Sequence, residues 1–490
     1  MEYVLYVLAV VAAILYVFKE FFSKPEKPKE PKERWAWRLG CWFAITLFII
    51  AALQWPSGSE KTQPGLPDSL KVMNERICTL DSLIRILLAQ VGTLNGEEDG
   101  YADSAKLQAK CIQATVVLQT ALDSGLVAIG LGNYSQAITH LDYAILAAQD
   151  DTSKAEAYFY RAVASLLWGD NLSASGEKVK AREQYVEALA GFDTTLRYKR
   201  DYPMAWSNRG VALGNLARHE EALANFDSAL VYKRDHPVFW LNRGRALGNL
   251  GRHGEALANC DSALAYKRDY PEAWDNRGVA LGKLGRYEEA SASYDSALAY
   301  KRDYPTAWSN RGVALRKLGR YEEALTSYDS ALAYKRDHPV IWLNRGGALG
   351  SLGRYEEELA NYDSALAYKR DYPEAWYNRG VILGNLGRYE EELPSYDSAL
   401  ACNRDYPEAW SNRGAVLGKL GRREAALASC DSALAYKQDY PEAWYNRGVA
   451  LGSLGRYDEA LASCDSALKY DPNDTLTVKL RNVILNEMKK

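Results

Sequence analysis

Histidine is scarce in this 490-residue chain, with five in all: His140, His219, His236, His253 and His338. They are scattered. No histidine stands beside a nucleophile or a carboxylate at a spacing that would build a triad or a zinc site. Cysteine is little better supplied. There are seven, with no C-x-x-C pair and no Cys/His spacing suited to a metal. Cys260, Cys430 and Cys464 recur at one packing position of a repeated unit, Cys402 stands at another, and Cys41 lies in an apolar run. They read as small core residues. Bulk charge is also missing, since the formal net charge is -3. That gives no electrostatic ground for a nucleic-acid partner. These absences exclude the common enzyme classes, and neither a cofactor nor a metal is expected. Function must therefore come from a binding surface.

What the chain does have is a 34-residue unit, seen clearly at 271–304 as PEAWDNRGVALGKLGRYEEASASYDSALAYKRDY. It recurs eight times without a gap, with tryptophans at Trp206, Trp240, Trp274, Trp308, Trp342, Trp376, Trp410 and Trp444. A fixed period of this length means a solenoid of stacked units. Each unit reads as two helices. Pro271 suits a first helical turn, where its missing N–H costs nothing. Gly285 closes the first helix. Glu288 and Glu289 open the second, whose apolar stripe is Ala290, Tyr294, Ala297 and Leu298.

Through Trp274, Gly278, Ala290, Tyr294 and Ala297, repeated eight times, the unit resembles the tetratricopeptide repeat. The resemblance covers roughly two thirds of the chain once degenerate copies are included. It implies an all-α fold, a right-handed α-solenoid of helix pairs, whose first helices line a concave groove. Two positions depart from the family pattern. Arg277 stands where a leucine is usual, and the proline expected near Arg302 comes at Pro305.

Two apolar runs precede the array, at 3–18 and 39–55. Trp35, Trp37, Trp42 and Trp55 bracket the second as interface anchors. Two transmembrane helices are expected, or one uncleaved anchor plus an interfacial helix. The loop between them, 23–38, is rich in Pro, Lys and Glu. Seven Lys or Arg lie from Lys19 to Arg38. The positive-inside rule puts it in the cytoplasm and the repeats on the other side, periplasmic in a Gram-negative cell. The reverse orientation would put the array at the cytoplasmic face.

A linker at 56–67 leads to a helix at 68–91 with Leu70, Met73, Ile77, Leu80, Ile84, Leu87 and Val91 at heptad spacing. Two readings stay open for it: a dimerising coiled coil beside the membrane, or a helix capping the first repeat. Two degenerate repeats follow at 104–202, with an insertion around Trp168–Glu177 that repeat arrays usually place in a loop. The eight regular units span 203–474, and 475–490 supplies a C-terminal capping helix.

Comparison of the eight copies shows which positions the fold leaves free. One variable series follows the tryptophans: Ser207, Leu241, Asp275, Ser309, Leu343, Tyr377, Ser411 and Tyr445. Two others run through Val279 and Lys283 and their equivalents, among them Arg245 and Gly347. Spaced four apart, the three series share one helix face. By the resemblance, that face lines the groove, mildly polar with an aromatic step at Tyr377 and Tyr445.

Asparagine is identical in all eight copies: Asn208, Asn242, Asn276, Asn310, Asn344, Asn378, Asn412 and Asn446. An amide side chain can pair with both N–H and C=O of an extended peptide. Some relatives use such a ladder in that way; alternatively each asparagine bonds the neighbouring repeat. The arginine that follows is also constant, and Arg277 is expected to pair with Asp295, inside a unit or across to the next. The clamp some relatives use for a C-terminal carboxylate needs lysines and asparagines at the variable positions, and these are mostly absent. Three further features stand out: Pro394 inside a second helix, Glu358 and Glu392 in place of Ala290, and the copied His236 and His338. The sequence points to a membrane-anchored scaffold holding a protein or peptide, or to an assembly factor using the same groove.

Overall fold

The computed structural model describes residues 99–489, with side chains from Ala114 onward. The expected membrane helices, the basic loop, the linker and the heptad segment 68–91 lie outside the described residues. Among the described residues the chain is entirely helical, and no helix is long and apolar enough to cross a membrane.

The first four helices are α1 (Asp99–Gly130), α2 (Tyr134–Ala147), α3 (Asp151–Ala174) and α4 (Lys178–Tyr198). The residues expected as a loop insertion do not leave the helix. Trp168–Ala174 extends α3, because nothing there breaks a helix until Gly176 adopts a positive φ. Tyr185 of α4 packs back against Gly169 and donates a hydrogen bond to Asp170 at 3.0 Å. The extra length is therefore absorbed in a longer helix pair.

Eight like pairs follow. Their first helices are α5 (Pro203–Asn215), α7 (Pro237–Asn249), α9 (Pro271–Lys283), α11 (Pro305–Lys317), α13 (Pro339–Ser351), α15 (Pro373–Asn385), α17 (Pro407–Lys419) and α19 (Pro441–Ser453). The second helices are α6 (His219–Tyr232), α8 (His253–Tyr266), α10 (Tyr287–Tyr300), α12 (Tyr321–Tyr334), α14 (Tyr355–Tyr368), α16 (Tyr389–Cys402), α18 (Arg423–Tyr436) and α20 (Tyr457–Tyr470). Helix α21 (Thr475–Glu487) ends the array. Its N-cap Asp474 accepts from the N–H groups of Leu476 and Thr477, and its Ile484 is buried against the last unit.

Within a unit the physics is local. Proline opens each first helix, and in every unit but the first, where Ala217 stands, glycine closes it in the left-handed region, as at Gly285 with φ 76°. There the Arg286 N–H bonds the Leu281 carbonyl and the Gly285 N–H bonds that of Gly282, the paired closure typical of a glycine-terminated helix. Gly278 lets the ring of Tyr294 lie against the first helix; a Cβ there would stand 2.5 Å from Cε1. Cys260, Cys430 and Cys464 fill the same buried place with less volume. Pro394 removes one N–H donor from α16, yet α16 runs unbroken through it.

Between units, one bonding pattern differs from expectation. Arg277 donates to Asp261 of the preceding unit, at 2.7 Å, and not to Asp295; Asp295 receives Arg311 of the following unit. A second N–H of Arg277 reaches Ser293 of its own unit. The pattern recurs from Arg209 to Arg447, and Arg481 of α21 continues it with Asp465. Each tryptophan closes the same seam: Trp274 Nε1 donates to the Arg268 carbonyl at 2.9 Å, and Arg277 lies over its ring.

Candidate functional site

First helices of successive units touch one another, whereas second helices of successive units make no comparable contact. The array therefore curves with its first helices on the inner side. Along that side the constant asparagine of one unit meets the variable residue after the tryptophan of the unit before. Asn310 Nδ2 donates to Asp275 Oδ1 at 3.1 Å, Asn412 Nδ2 to the Tyr377 hydroxyl at 3.2 Å, and Asn446 Nδ2 to Ser411 Oγ at 3.1 Å. Asn276 instead turns onto its own helix, to the Glu272 carbonyl.

The other four, Asn208, Asn242, Asn344 and Asn378, are half-buried and make no side-chain hydrogen bond among the described residues. Their amides keep both donor and acceptor capacity toward the groove. The eight asparagines are thus one series by sequence and two by geometry.

The variable face is graded in depth. Ser207, Leu241, Asp275 and Ser411 are buried at the seam between first helices. The series through Lys283 is exposed along its length, and the series through Val279 lies between these extremes. Tyr377 is not a free step. Its ring lies 5.0 Å from that of Tyr406, and its hydroxyl accepts from Asn412. Tyr445 is half-buried on the last first helix of the array. Burial raises the pKa of Asp275, while hydrogen bonds from Asn310 and Tyr304 pull it back.

Sequence reasoning passed over Arg316. It stands where the other seven units have glycine, a signal visible on aligning the copies. Its Nη1 lies over Gly347, where a Cβ would stand 3.6 Å from it, an ordinary contact. No His/Cys/Asp/Glu group among the described residues could hold a metal ion.

Comparison with known proteins finds the same repeat in sequence. Models described as tetratricopeptide repeat match residues 212–273, 276–339, 316–367, 373–406 and 441–474, and one described as TPR repeat matches 348–387. No curated protein sequence matches the chain. Similar solved structures include YrrB, described as a TPR protein with an unusual peptide-binding site. It is 21% identical over 39% of this chain and 99% of its own, with a TM-score of 0.36. The APC/C hetero-tetramer Cut9–Hcn1 is 14% identical over 78% of this chain and 94% of its own, with a TM-score of 0.42. A tetratricopeptide repeat protein from Parabacteroides merdae is 17% identical over 51% of this chain and 98% of its own, with a TM-score of 0.39.

Proposed function

From the premise that the array is built of tetratricopeptide repeats, we propose that it is a scaffold that holds an extended peptide segment of a partner protein along its inner face. The observation that carries this reading is the set of four unbonded amides, Asn208, Asn242, Asn344 and Asn378, on the face lined by first helices. Each could accept a backbone N–H and donate to a backbone carbonyl. Backbone contacts give affinity with little regard to side chains. Asn310, Asn412 and Asn446, bonded to the unit before, would hold neighbouring elements in register. Tyr445 would add apolar contact at one end, and Tyr377, packed on Tyr406, would support it.

The test is retention of a pool of random decapeptides by the immobilised protein, with retained peptides sequenced by mass spectrometry. Peptides without a side-chain consensus, lost when Asn344 and Asn378 are both changed to alanine, support the ladder. Unchanged retention by that double variant removes it, and no retention by the parent protein removes the groove reading.

In the same reading the runs 3–18 and 39–55 anchor the scaffold in a membrane, with the repeats outside the cytoplasm. Their hydropathy and the basic residues between them support this. A reporter active only outside the cytoplasm, fused after Lys490, tests it. Activity of a matched cytoplasmic reporter instead would turn the array to the cytoplasmic face. Pairing of two chains through 68–91 is checked by the mass of the full chain in detergent against that of a chain lacking 68–91. A transient role as an assembly factor would show as partner exchange within minutes.

A further inference from the structure

On the inner face four cations fall in three consecutive units, Arg245 of α7, Lys283 of α9, and Arg316 and Lys317 of α11, and a fifth, Lys419 of α17, stands apart over the ring of Tyr389. Many of the other arginines form two paired ladders. One runs from Arg209 to Arg447 onto aspartates of the preceding unit. The other joins residues such as Arg286 to the glutamate three positions on, here Glu289, through two N–H bonds. Arg245, Lys283, Arg316 and Lys317 belong to neither, and no carboxylate lies within ion-pair distance of them. Arg245 feels the carboxylates of Asp170 and Asp275 from a distance.

Arg316 is the best defined of the four. Its Nε is buried and has no hydrogen-bond partner. Its Nη1 lies over α13 at Gly347, the only glycine in a series otherwise of valine, alanine and arginine. An arginine replaces a glycine in one unit, and its guanidinium lies beside the one glycine of that series, in the next unit, where a β-branched side chain would crowd it. The groups facing it from neighbouring helices are the hydroxyls of Tyr328 and Tyr362, which feel its charge. Glu358, on the same helix as Tyr362, is already bonded by it at 2.7 Å. Unlike Nε, the two terminal nitrogens are not among the buried atoms, so a ligand carboxylate can reach them.

We infer that the inner face between α7 and α13 takes an acidic peptide segment, whose carboxylates meet Arg245, Lys283, Arg316 and Lys317, with Arg316 as the anchor. This rests on the groove reading above and adds the chemistry of the ligand. At the start of the first helices α7, α11 and α13 carry Val238, Thr306 and Val340, and the one acid of this stretch, Glu272 of α9, has Lys301 at 3.9 Å; α15, α17 and α19 carry Glu374, Glu408 and Glu442 there.

The experiment is fluorescence anisotropy of the full chain in detergent with three labelled probes: an octapeptide alternating glutamate and serine, the same peptide with glutamine for glutamate, and an eight-nucleotide oligothymidylate. The glutamate probe should bind at low salt, weaken steeply with added salt, and bind at least about tenfold more tightly than the glutamine probe. Arg316→Gly, the residue of the other seven units, should cost at least about tenfold for the glutamate probe and leave the glutamine probe unmoved. Gly347→Val should mimic it, while Arg423→Ala, an exposed arginine of α18, should change nothing. Thermal unfolding by circular dichroism checks that the variants fold. Equal affinity for the two peptides overturns the acidic class, yet leaves the backbone reading standing if the Asn344/Asn378 double variant weakens both. Failure of the glutamate probe to bind, or no effect of Arg316→Gly on it, overturns the inference. Tighter binding of the oligonucleotide with the same dependence on Arg316 also overturns it, in favour of a nucleic-acid partner.

Discussion

Arg311 donates Nε–H to Asp295 of the preceding unit at 2.6 Å and Nη1–H to Ser327 of its own unit at 2.6 Å. One guanidinium thus ties α10 to α12 through α11. The relation repeats down the array, so every unit boundary carries the same crossed bond. In a solenoid, stability is a sum of unit and boundary terms. This bond belongs to the boundary.

Arg311→Ala should therefore lower the urea midpoint, at a cost of about 1–2 kcal/mol, mostly from leaving Ser327 and Asp295 without a donor. Asp295 is half exposed, so solvent screens the pair. In a double-mutant cycle with Asp295→Ala the coupling should be under about 1 kcal/mol. A coupling several times larger would mean that the pair is far less screened than its exposure indicates.

The partner of Arg277 was not legible in the sequence, for a reason built into the period. Asp261 lies 16 residues before it and Asp295 lies 18 after, and both occupy the same position of a 34-residue unit. Residue type cannot separate two copies of one position; only the direction in which the arginine leaves its helix does. The helices were legible because their signals are local: Pro271 at the start, Gly285 in the left-handed region, Gly278 under the Tyr294 ring. The asparagine series was legible as a series. Its division into bonded and unbonded members was not, since residue type does not decide it: Asn446 bonds Ser411, whereas Asn242 and Asn344 make no such bond to the equivalent Ser207 and Ser309.

Ala217 marks a local misfit. It occupies the turn where seven later units have glycine, and it holds φ 60°. A Cβ in the left-handed region costs about 1–2 kcal/mol. Ala217→Gly should therefore stabilise the array, by about 1 kcal/mol after the extra chain entropy of glycine is set against it. Thermal or urea unfolding checks this. An unchanged or lower midpoint would mean that the turn already relieves the strain.

Gly278→Ala should act in the opposite direction. The new methyl would stand 2.5 Å from Cε1 of Tyr294 and 2.7 Å from its Cζ, and that ring is buried between helices. Overpacking of this kind costs about 1–3 kcal/mol. In a Tyr294→Cys background, which copies the unit containing Cys260, the same change should cost distinctly less. The equivalent contact from Gly244 to Cys260 Sγ is 3.5 Å. Equal costs in both backgrounds would place the clash in the helix backbone and not in the ring.

Glu358 and Glu392 give the array a pH dependence of unusual sign. Both are buried where the other units carry alanine, each keeps one carboxyl oxygen without a partner, and Tyr362 donates to Glu358. Burial raises both pKa values above the ordinary 4.5, and the tyrosine bonds only partly offset this. Between the ordinary value and the raised one, the folded chain holds more protons than the unfolded chain. Stability from these two groups is then complete below about pH 4.5 and falls as pH rises through the raised values. Glu358→Gln with Glu392→Gln removes the titration while keeping shape and a hydrogen-bonding head. The double variant should match the parent near pH 4.5 and exceed it near pH 7.5, by about 1 kcal/mol per site. Other carboxylates, such as Glu289 paired with Arg286, pull the whole protein the other way, so the difference between variant and parent is the quantity to follow. Urea midpoints at several pH values supply it. A difference that is flat with pH would mean that water reaches both carboxylates and that their burial carries no cost.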